Sequence, residues 1–366
     1  MLADGIVEAL RLQAHFSGEF GSPLYGELMR RCADDVEQGG PMAELLDGWE
    51  GKPMPDALPM RIFGAVHRLV LDGAAPALAA HYPSVGGTPR WPDAWTAFRD
   101  LLVSHRHVIR PELDRQVQTN EVRRSGALLG GFLTVAAETG LPLRLLEIGC
   151  SAGLNLRWDR YRYELLDCAP KTPPRDAAAI VHRWGADDAS MTVRTGWHGP
   201  TDVLRGTAAV ASRRGCDLAP IDIADPDQAR RLEAFVWGDQ PHRLEQLRAA
   251  IAAARRDPPR VEPASAADWL AAQLSTPAPG VATVVFHSVM WWYVSEPERE
   301  RITALIEDAG ARATAAAPLA WLRFDLFGEA RYEVHLRLWP GGELRKLGYA
   351  CPHGRWVDWR VRPVSR

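Results

Sequence analysis

The spacing of apolar residues divides the chain into two parts that meet near residue 140. In residues 1–140 apolar side chains recur every three or four positions, which predicts amphipathic helices separated by Pro/Gly breaks. In residues 141–366 short continuous apolar runs alternate with helical segments, which predicts buried parallel strands. We therefore expect residues 1–140 to form a helical N-terminal domain that acts as a lid, and residues 141–366 to form an α/β domain.

Strand patterns also occur where a simple alternation of strands and helices would not put them. Residues 179–184 and 191–195 each have the composition of a short strand, and a Gly-Ala-Asp-Asp turn lies between them. Residues 161–205 are therefore predicted to form a small β-rich insertion. Residues 227–256 are predicted to be helical, with a break near residues 238–241.

One turn combines the features of a ligand site. The apolar run of residues 143–148 breaks into a turn that contains Gly149, Ser151 and Gly153, and a short helical segment follows. A strand, a glycine-bearing turn and a helix start together present backbone N–H groups to a ligand. Glu147 lies two residues before the turn, where its carboxylate can reach a charged or hydroxyl-bearing ligand.

The motif Glu-Ile-Gly-Cys-Ser-Ala-Gly, residues 147–153, resembles the first motif of class I S-adenosylmethionine-dependent methyltransferases. Ser151 replaces the middle glycine of that motif, and its Cβ restricts positive φ angles. Over nearly its full length the chain also resembles an uncharacterised bacterial family, the domain of unknown function 2332. The segments that carry this second resemblance are residues 61–70, 118–121, 151–155 and 285–288.

The methyltransferase resemblance implies a Rossmann-like, methyltransferase-type sheet and S-adenosylmethionine as the cofactor. Gly-Cys-Asp217-Leu-Ala-Pro resembles the end of the second strand in these enzymes, where an acid binds the ribose. Asp167 is the alternative end of that strand. Asp268 follows a possible third strand, where the resemblance implies a place near the adenine, although an N-cap aspartate explains it equally well.

The apolar run of residues 281–287 ends at His287 and is followed by Ser288. Ligands in open α/β sheets bind beyond the carboxyl ends of the strands, so both residues are expected beside the Gly149 turn. Because an imidazole titrates near neutral pH, His287 is the predicted general base for a methyl acceptor, with Glu121 and Asp225 as weaker candidates. The alternative is a histidine that only hydrogen-bonds a ligand or the backbone.

Three further residues are predicted to contact the substrate. Asn120 lies in a dense polar patch before a helix and is expected either to project over the ligand turn or to cap that helix. Asp225 is expected either to hold substrate or to cap the next helix. Trp291 belongs to a Trp-Trp-Tyr cluster just after Ser288.

These observations favour an S-adenosylmethionine-dependent methyltransferase acting on a small molecule. The same turn also matches G-x-S-x-G, so a hydrolase with Ser151 as nucleophile is an alternative. Its acid and base would be drawn from Asp268, Asp325, His335 and His353. A non-catalytic, methyltransferase-like nucleotide-binding module is the third interpretation, which the serine in the glycine position favours.

Composition narrows the class of protein without changing this interpretation. The net charge of −3 argues against a dedicated nucleic-acid binder or a polybasic membrane binder. No apolar run approaches the roughly 20 residues of a membrane-spanning helix, and the N-terminus lacks the basic region of a signal peptide. The five cysteines are scattered without a C-x-x-C pair, which argues against a thiolate zinc site and predicts free thiols and a cytoplasmic location.

Overall fold

The structure is a computed structural model that describes residues 2–328 and 331–361, with side chains described from residue 5 onward. The chain divides into two compact units. Unit 1 comprises residues 1–119 and 224–248, and unit 2 comprises residues 120–223 and 249–366. The domain boundary at residue 140 stays a prediction.

Unit 1 is helical, as the three- and four-residue spacing predicts. Its helices are α1 (Leu2–Glu19), α2 (Pro23–Glu37), α3 (Pro41–Leu46), α4 (Leu58–Leu71), α5 (Pro76–Ala79), α6 (Asp93–Ser104), α7 (Arg106–Glu112) and α9 (Pro226–Ala234). The core of this unit contains a group of stacked and tilted aromatic rings. Tyr25 lies 4.8 Å from Phe63 and 6.2 Å from Trp237, measured between ring centroids.

Unit 2 contains an 11-stranded sheet. Its strands are β1 (Leu143–Ile148), β2 (Arg162–Asp167), β3 (Ile180–Trp184), β4 (Thr192–His198), β5 (Val210–Asp217), β6 (Val261–Pro263), β7 (Ala282–Ser288), β8 (Leu319–Phe327), β9 (Arg331–Trp339), β10 (Leu344–Ala350) and β11 (Trp356–Trp359). Its helices are α8 (Arg124–Thr139), α11 (Ala266–Gln273) and α12 (Glu296–Ala311), while α10 (Pro241–Ala254) crosses the boundary between the units. The predicted α/β class is therefore confirmed.

The chain adds strands first on one side of β1 and then on the other. Five neighbouring strands run parallel in the order β6-β5-β1-β7-β8, so the chain moves from β1 to one side through β5 and β6, then crosses to the other side for β7 and β8. Such a switch leaves a crevice at the carboxyl ends of the strands on either side of it, and ligands bind there in open α/β sheets. The Gly149 turn leaves β1 at this point.

The predicted β-rich insertion is present and forms part of the same sheet. Strand β2 pairs with β3 and β4, and β4 pairs in parallel with β11 near the C-terminus. The hairpin β8–β9 and strand β10 are antiparallel and join this section to the parallel strands. Because β5 pairs with β1 whereas β2 does not, Asp217 ends the strand next to β1 and Asp167 does not.

Helix α8 covers one face of the parallel strands by close approach. The ring of Phe132 lies 5.0 Å from that of Phe286 on β7, edge to face. A Cβ atom on Gly130 would lie 2.6 Å from Trp359 Cη2 on β11, so this glycine allows α8 to pack closely on that strand as well. Within the described residues, no helix is long and apolar enough to cross a membrane.

We expect Gly130→Ala to destabilise unit 2 by about 1–3 kcal/mol, because the methyl group overpacks a rigid, buried indole. The loss should exceed the gain of up to about 1 kcal/mol that alanine brings to a helix. The measurement is the thermal midpoint by calorimetry. Gly126→Ala in the same helix is the matched control, since the nearest atom to its Cβ would be the Thr195 methyl at 3.0 Å, against 2.6 Å for the indole beside Gly130. Equal midpoints for the two variants would contradict this packing.

Candidate functional site

The turn after β1 passes three times through the left-handed region of backbone conformation. The φ angles are +63° at Gly149, +55° at Ser151 and +70° at Gly153. A non-glycine residue in this region costs roughly 1–2 kcal/mol because its Cβ crowds the following carbonyl. Ser151 therefore adopts a backbone conformation that favours glycine, at the expense of local strain.

Hydrogen bonds to two side chains, Asp217 and Asn120, hold the turn. Ser151 N donates to Asp217 Oδ2 at 2.8 Å, and Ala219 N donates to Asp217 Oδ1 at 3.0 Å. Leu154 N donates to Asn120 Oδ1 at 2.8 Å at the start of the 3-10 helix Leu154–Arg160. A hydrogen bond from an amide to a charged acceptor contributes roughly 1.5–3 kcal/mol, which is enough to offset the strain at Ser151.

The contact made by Asn120 decides between its two predicted roles. Helix α8 begins at Arg124 with Arg123 as its N-cap residue, so Asn120 does not cap the helix that follows it. Its side chain instead accepts from the first N–H group beyond the Gly153 turn. Glu121 is buried next to it, and its backbone carbonyl accepts from Asn155 Nδ2 at 3.4 Å. The polar patch before α8 therefore lies against the candidate ligand turn.

Three buried polar oxygens surround this turn without a hydrogen-bond partner among residues 2–328 and 331–361. They are Glu147 Oε2, Ser151 Oγ and Asn155 Oδ1. Burial and the nearby charge of Asp217 raise the pKa of Glu147 well above its ordinary value, and the opposing effect of Arg124 is smaller. Glu147 is therefore held as a neutral carboxylic acid under conditions in which an exposed glutamate is ionised.

His287 belongs to a second polar group, centred on Asp325. Asp325 Oδ2 accepts from His287 Nδ1 at 3.2 Å, from Met290 N at 3.0 Å and from Trp291 N at 2.9 Å. Burial opposes the ionised form of Asp325, but these hydrogen bonds prevail and its pKa is lowered. Burial lowers the pKa of His287, and the bond to Asp325 only partly opposes that effect.

The tautomer of His287 follows from this arrangement. An ionised carboxylate only accepts hydrogen bonds, so the neutral imidazole carries its proton on Nδ1 and leaves Nε2 as an acceptor. Nε2 is enclosed and has no partner in the described part of the chain. The ring of Trp291 stacks on the imidazole, with centroids 5.0 Å apart and planes 14° apart.

Glu147 and His287 project from opposite faces of the sheet. Glu147 is in register with Phe286, whose ring packs on α8. Side chains alternate between faces along a strand, so His287 projects to the other side, where its ring lies 6.3 Å from that of Trp321. The polar group around the turn and the His287–Asp325 pair are therefore separate environments at one edge of the sheet.

The loop after β7 brings the two environments into contact. A Cβ atom on Gly149 would lie 2.7 Å from Met290 Cε, and Val289 adopts a φ angle of +51°. The carbonyl oxygen of Ser288 accepts from Arg124 Nη1 at 3.2 Å. The Asp325 carboxylate thus positions the loop that packs on the ligand turn.

The remaining predicted site residues occupy other places. Asp268 is exposed in the first turn of α11, where it accepts from Ser265 Oγ at 2.8 Å and pairs with Arg301 at 2.7 Å. The N-cap residue of α11 is Ser265, whose hydroxyl accepts from Asp268 N at 3.3 Å, so Asp268 is not the N-cap aspartate that the sequence suggested. Asp225 belongs to unit 1 and caps α9 by accepting from Asp227 N at 2.8 Å. The structure thus groups Asn120, Glu121, Glu147, Gly149, Ser151, Gly153 and Asp217 around one turn.

Sequence reasoning missed Arg124 and Asn155, and it named Asp325 only as a possible hydrolase acid. Asp325 carried a signal, because an acid within the apolar run of residues 319–326 is rarely buried without a partner. Arg124 follows the polar patch directly, and Asn155 follows the turn by two residues. Their role depends on contacts with distant segments, such as the bond from Arg124 Nε to Pro352 O at 2.9 Å.

The chain belongs to the family described as "Uncharacterized protein conserved in bacteria (DUF2332)", whose family model matches residues 7–359. No curated protein and no solved structure matches the chain. The family membership expected from the sequence is therefore confirmed, and the activity has to be argued from the geometry of the site.

We expect Asp325→Asn to lower the free energy of unfolding by about 2–3 kcal/mol, because it removes the charge that three N–H groups share in a buried place. Denaturant titration followed by tryptophan fluorescence measures the change. Asp268→Asn is the control, since it alters an exposed pair and should stay within about 0.5 kcal/mol of the wild type. Similar losses in both variants would contradict the role given to Asp325.

Glu147→Gln should stabilise the protein at pH 8 and have less effect at pH 5. The pKa of Glu147 is raised in the folded state, so its favourable contribution is present below its unfolded pKa and is lost as the pH rises through its folded pKa. Glutamine imitates the neutral acid at every pH. Urea midpoints measured between pH 5 and pH 8 test this, with Glu138→Gln at the surface as the control. A gain that does not increase with pH would refute a neutral Glu147.

Proposed function

We propose that this protein is an S-adenosylmethionine-dependent methyltransferase for a small molecule, with the cofactor bound at the turn after β1. The observation that carries the proposal is the hydrogen bond from Ser151 N to Asp217 Oδ2, 2.8 Å long, beside the reversal in strand order. It joins the glycine-bearing turn to the acid at the end of the neighbouring parallel strand. Nucleotide-binding sheets place the same two features against a ribose and its attached groups.

The residues around the turn suit a cofactor of this chemical class. Glu147 Oε2, Ser151 Oγ and Asn155 Oδ1 are buried oxygens that lack partners within the described residues, and each can accept a hydrogen bond. Burying such atoms unsatisfied is costly, so a ligand with N–H or O–H donors would be favoured there. A cationic ligand would also favour the ionised form of Glu147. Bound S-adenosylmethionine supplies a sulfonium whose methyl group is electrophilic.

In this proposal Asp217, half-buried at the end of β5, binds the ribose hydroxyls. Gly149 and Gly153 stay predictions as cofactor contacts, because the space where a Cβ would lie is filled by Met290 and Val261, respectively. Asn120 holds the start of the 3-10 helix against the turn. Ser288 and Asp268 stay predictions as cofactor contacts. Asp225 stays a prediction as a substrate contact.

His287 is the proposed proton acceptor for the methyl acceptor. Its bond to Asp325 leaves the Nε2 lone pair available in the neutral ring. The acceptor would then approach from the side of Trp291 and Trp321, where the imidazole lies. Glu121 is the second candidate, on the other side of the turn. The remaining work in methyl transfer is alignment of the two reactants in a site without water.

The hydrolase interpretation depends on Ser151. Its strained backbone conformation is typical of a nucleophile elbow, but within residues 2–328 and 331–361 no histidine is bonded to its Oγ. A serine nucleophile needs a neighbouring base to remove its proton. The methyltransferase interpretation needs no base beside Ser151. The hydrolase is retained as one outcome of the test.

Isothermal titration with S-adenosylmethionine and S-adenosylhomocysteine should give micromolar binding to the wild-type chain. Asp217→Asn should weaken both by at least about tenfold, equivalent to roughly 1.4 kcal/mol, because the amide loses the charge and one acceptor. Asp222→Asn, an exposed acid five residues further on, is the matched control and should bind like the wild type. Circular dichroism checks that each variant is folded.

Three other outcomes would replace this proposal. Absence of binding by both nucleosides, together with labelling of Ser151 by a fluorophosphonate, would indicate the hydrolase. Binding without methyl transfer to any of a panel of hydroxyl, carboxyl and amine acceptors would indicate the non-catalytic module. Absence of both binding and labelling would reject a nucleoside site and an activated serine together.

A further inference from the structure

Arg323 on β8 carries a positive charge without an acidic partner. Its guanidinium forms no hydrogen bond and no salt bridge with any residue in the described ranges 2–328 and 331–361. Its Cζ atom lies 4.2 Å from the ring centroid of Trp321 and 5.0 Å from that of Phe327. Two aromatic rings of the same strand therefore contact a guanidinium whose directional N–H donors are unused.

His335 on β9 adds a second unused nitrogen beside it. The two residues are directly opposite in the antiparallel pairing of β8 and β9, so their side chains share one face of the sheet. The imidazole stacks on Phe327 with centroids 4.0 Å apart, and its Nε2 lies 2.7 Å from Glu333 Oε2. Because a carboxylate only accepts, Nε2 carries the proton and Nδ1 is an acceptor, which is enclosed without a partner in the described residues.

The cost of this arrangement for the protein alone lies at one nitrogen of the guanidinium, Nε. Arg323 is only partly exposed, its Nε is enclosed without a partner in the described part, and burial lowers the pKa of Arg323 to about 10. Contact with aromatic faces returns about 0.5–2 kcal/mol, but it cannot satisfy the N–H groups, which lie in the guanidinium plane. A planar anion can accept two of these N–H groups at once.

We propose that Arg323 binds the carboxylate of a small planar molecule, whose body packs against the aromatic rings of Trp321, Phe327 and His335. The positive charge of Arg337 acts on Arg323 more strongly than the negative charges of Asp325 and Glu307 do. A carboxylate with a planar body is preferred to phosphate, because phosphate has no ring that could pack against the aromatic side chains. The aromatic walls favour an aromatic body over an aliphatic one. This site is separate from the proposed cofactor site and needs no cofactor.

Benzoate is the probe, with benzamide as its neutral analogue and inorganic phosphate as the dianion. The chain is labelled with 5-fluorotryptophan, and the Trp321 resonance in the ¹⁹F spectrum is assigned with Trp321→Phe. Benzoate should shift that resonance with a dissociation constant of about 1 mM, in keeping with a small ligand held by one charged pair and an aromatic contact. Benzamide and phosphate should leave it unchanged at the same concentrations.

Two variants test the role of the guanidinium. Arg323→Gln should abolish the shift, and Arg323→Lys should weaken binding by about tenfold, because lysine keeps the charge but lacks the planar fork. Arg345→Gln is the matched control, since Arg345 lies on β10, which is separated from β8 by β9, and pairs with Glu138 at 2.7 Å. It should bind benzoate like the wild type.

The inference is overturned if benzoate does not shift the Trp321 resonance of the wild-type chain. It is also overturned if benzamide or phosphate shifts it equally, or if Arg323→Lys binds as tightly as the wild type. The last comparison retains the positive charge and the stem of the side chain, so it stays informative even if Arg323→Gln fails to fold. All benzoate titrations omit S-adenosylmethionine. Their failure would therefore not contradict the proposed cofactor site, and failure of cofactor binding would not contradict the carboxylate site at Arg323.

Discussion

The hydrogen bond between Ser151 N and Asp217 Oδ2 is the contact on which the candidate site depends. It bridges two parallel strands at the point where the chain changes direction across the sheet, and it fixes a turn that contains a non-glycine residue at a φ angle of +55°. Without a charged acceptor at that place, the strain at Ser151 would favour another conformation of the turn. The carboxylate that makes a nucleoside site plausible is therefore also the group that gives the turn its shape.

Two buried acidic residues at this edge of the sheet differ in their ionisation. Asp325 receives three N–H donors on one oxygen and stays ionised. Glu147 is equally enclosed, but it lies next to the negative charge of Asp217, and its pKa is raised. The difference comes from the hydrogen bonds and charges around each group, because both are buried. One edge of the sheet thus holds a fixed negative charge on one face and a neutral acid on the other.

Local patterns in the sequence predict the positions of several strands. The apolar runs predict β1, β7 and β8, and the resemblance of the Gly-Cys-Asp217 segment to the second strand of methyltransferases predicts a strand that the structure pairs with β1. What could not be predicted depends on pairing between distant segments. Strand β4 joins the main sheet through β11, more than a hundred residues later, and no local pattern specifies that partner. Asn120 is of a residue type that commonly caps helices and precedes α8, yet its side chain accepts from Leu154 N, 34 residues further along the chain.

The face of the sheet on which His287 lies also could not be predicted from local sequence, because it depends on contacts between distant segments. Alternation along β7 separates Phe286 from His287, but only the register with β1 and the packing of α8 show which side each one faces. The pairing of β7 with β8 then puts His287 directly beside Arg323, and the next pairing puts Arg323 beside His335. These three side chains form a row across one face, with Trp321 in contact with both of the first two. If His287 removes a proton from a methyl acceptor, that acceptor is held on the face that carries Arg323, so an acidic aromatic acceptor would satisfy both proposals at once. The two sites would then be coupled, and a carboxylate bound at Arg323 should compete with the methyl acceptor while leaving cofactor affinity unchanged.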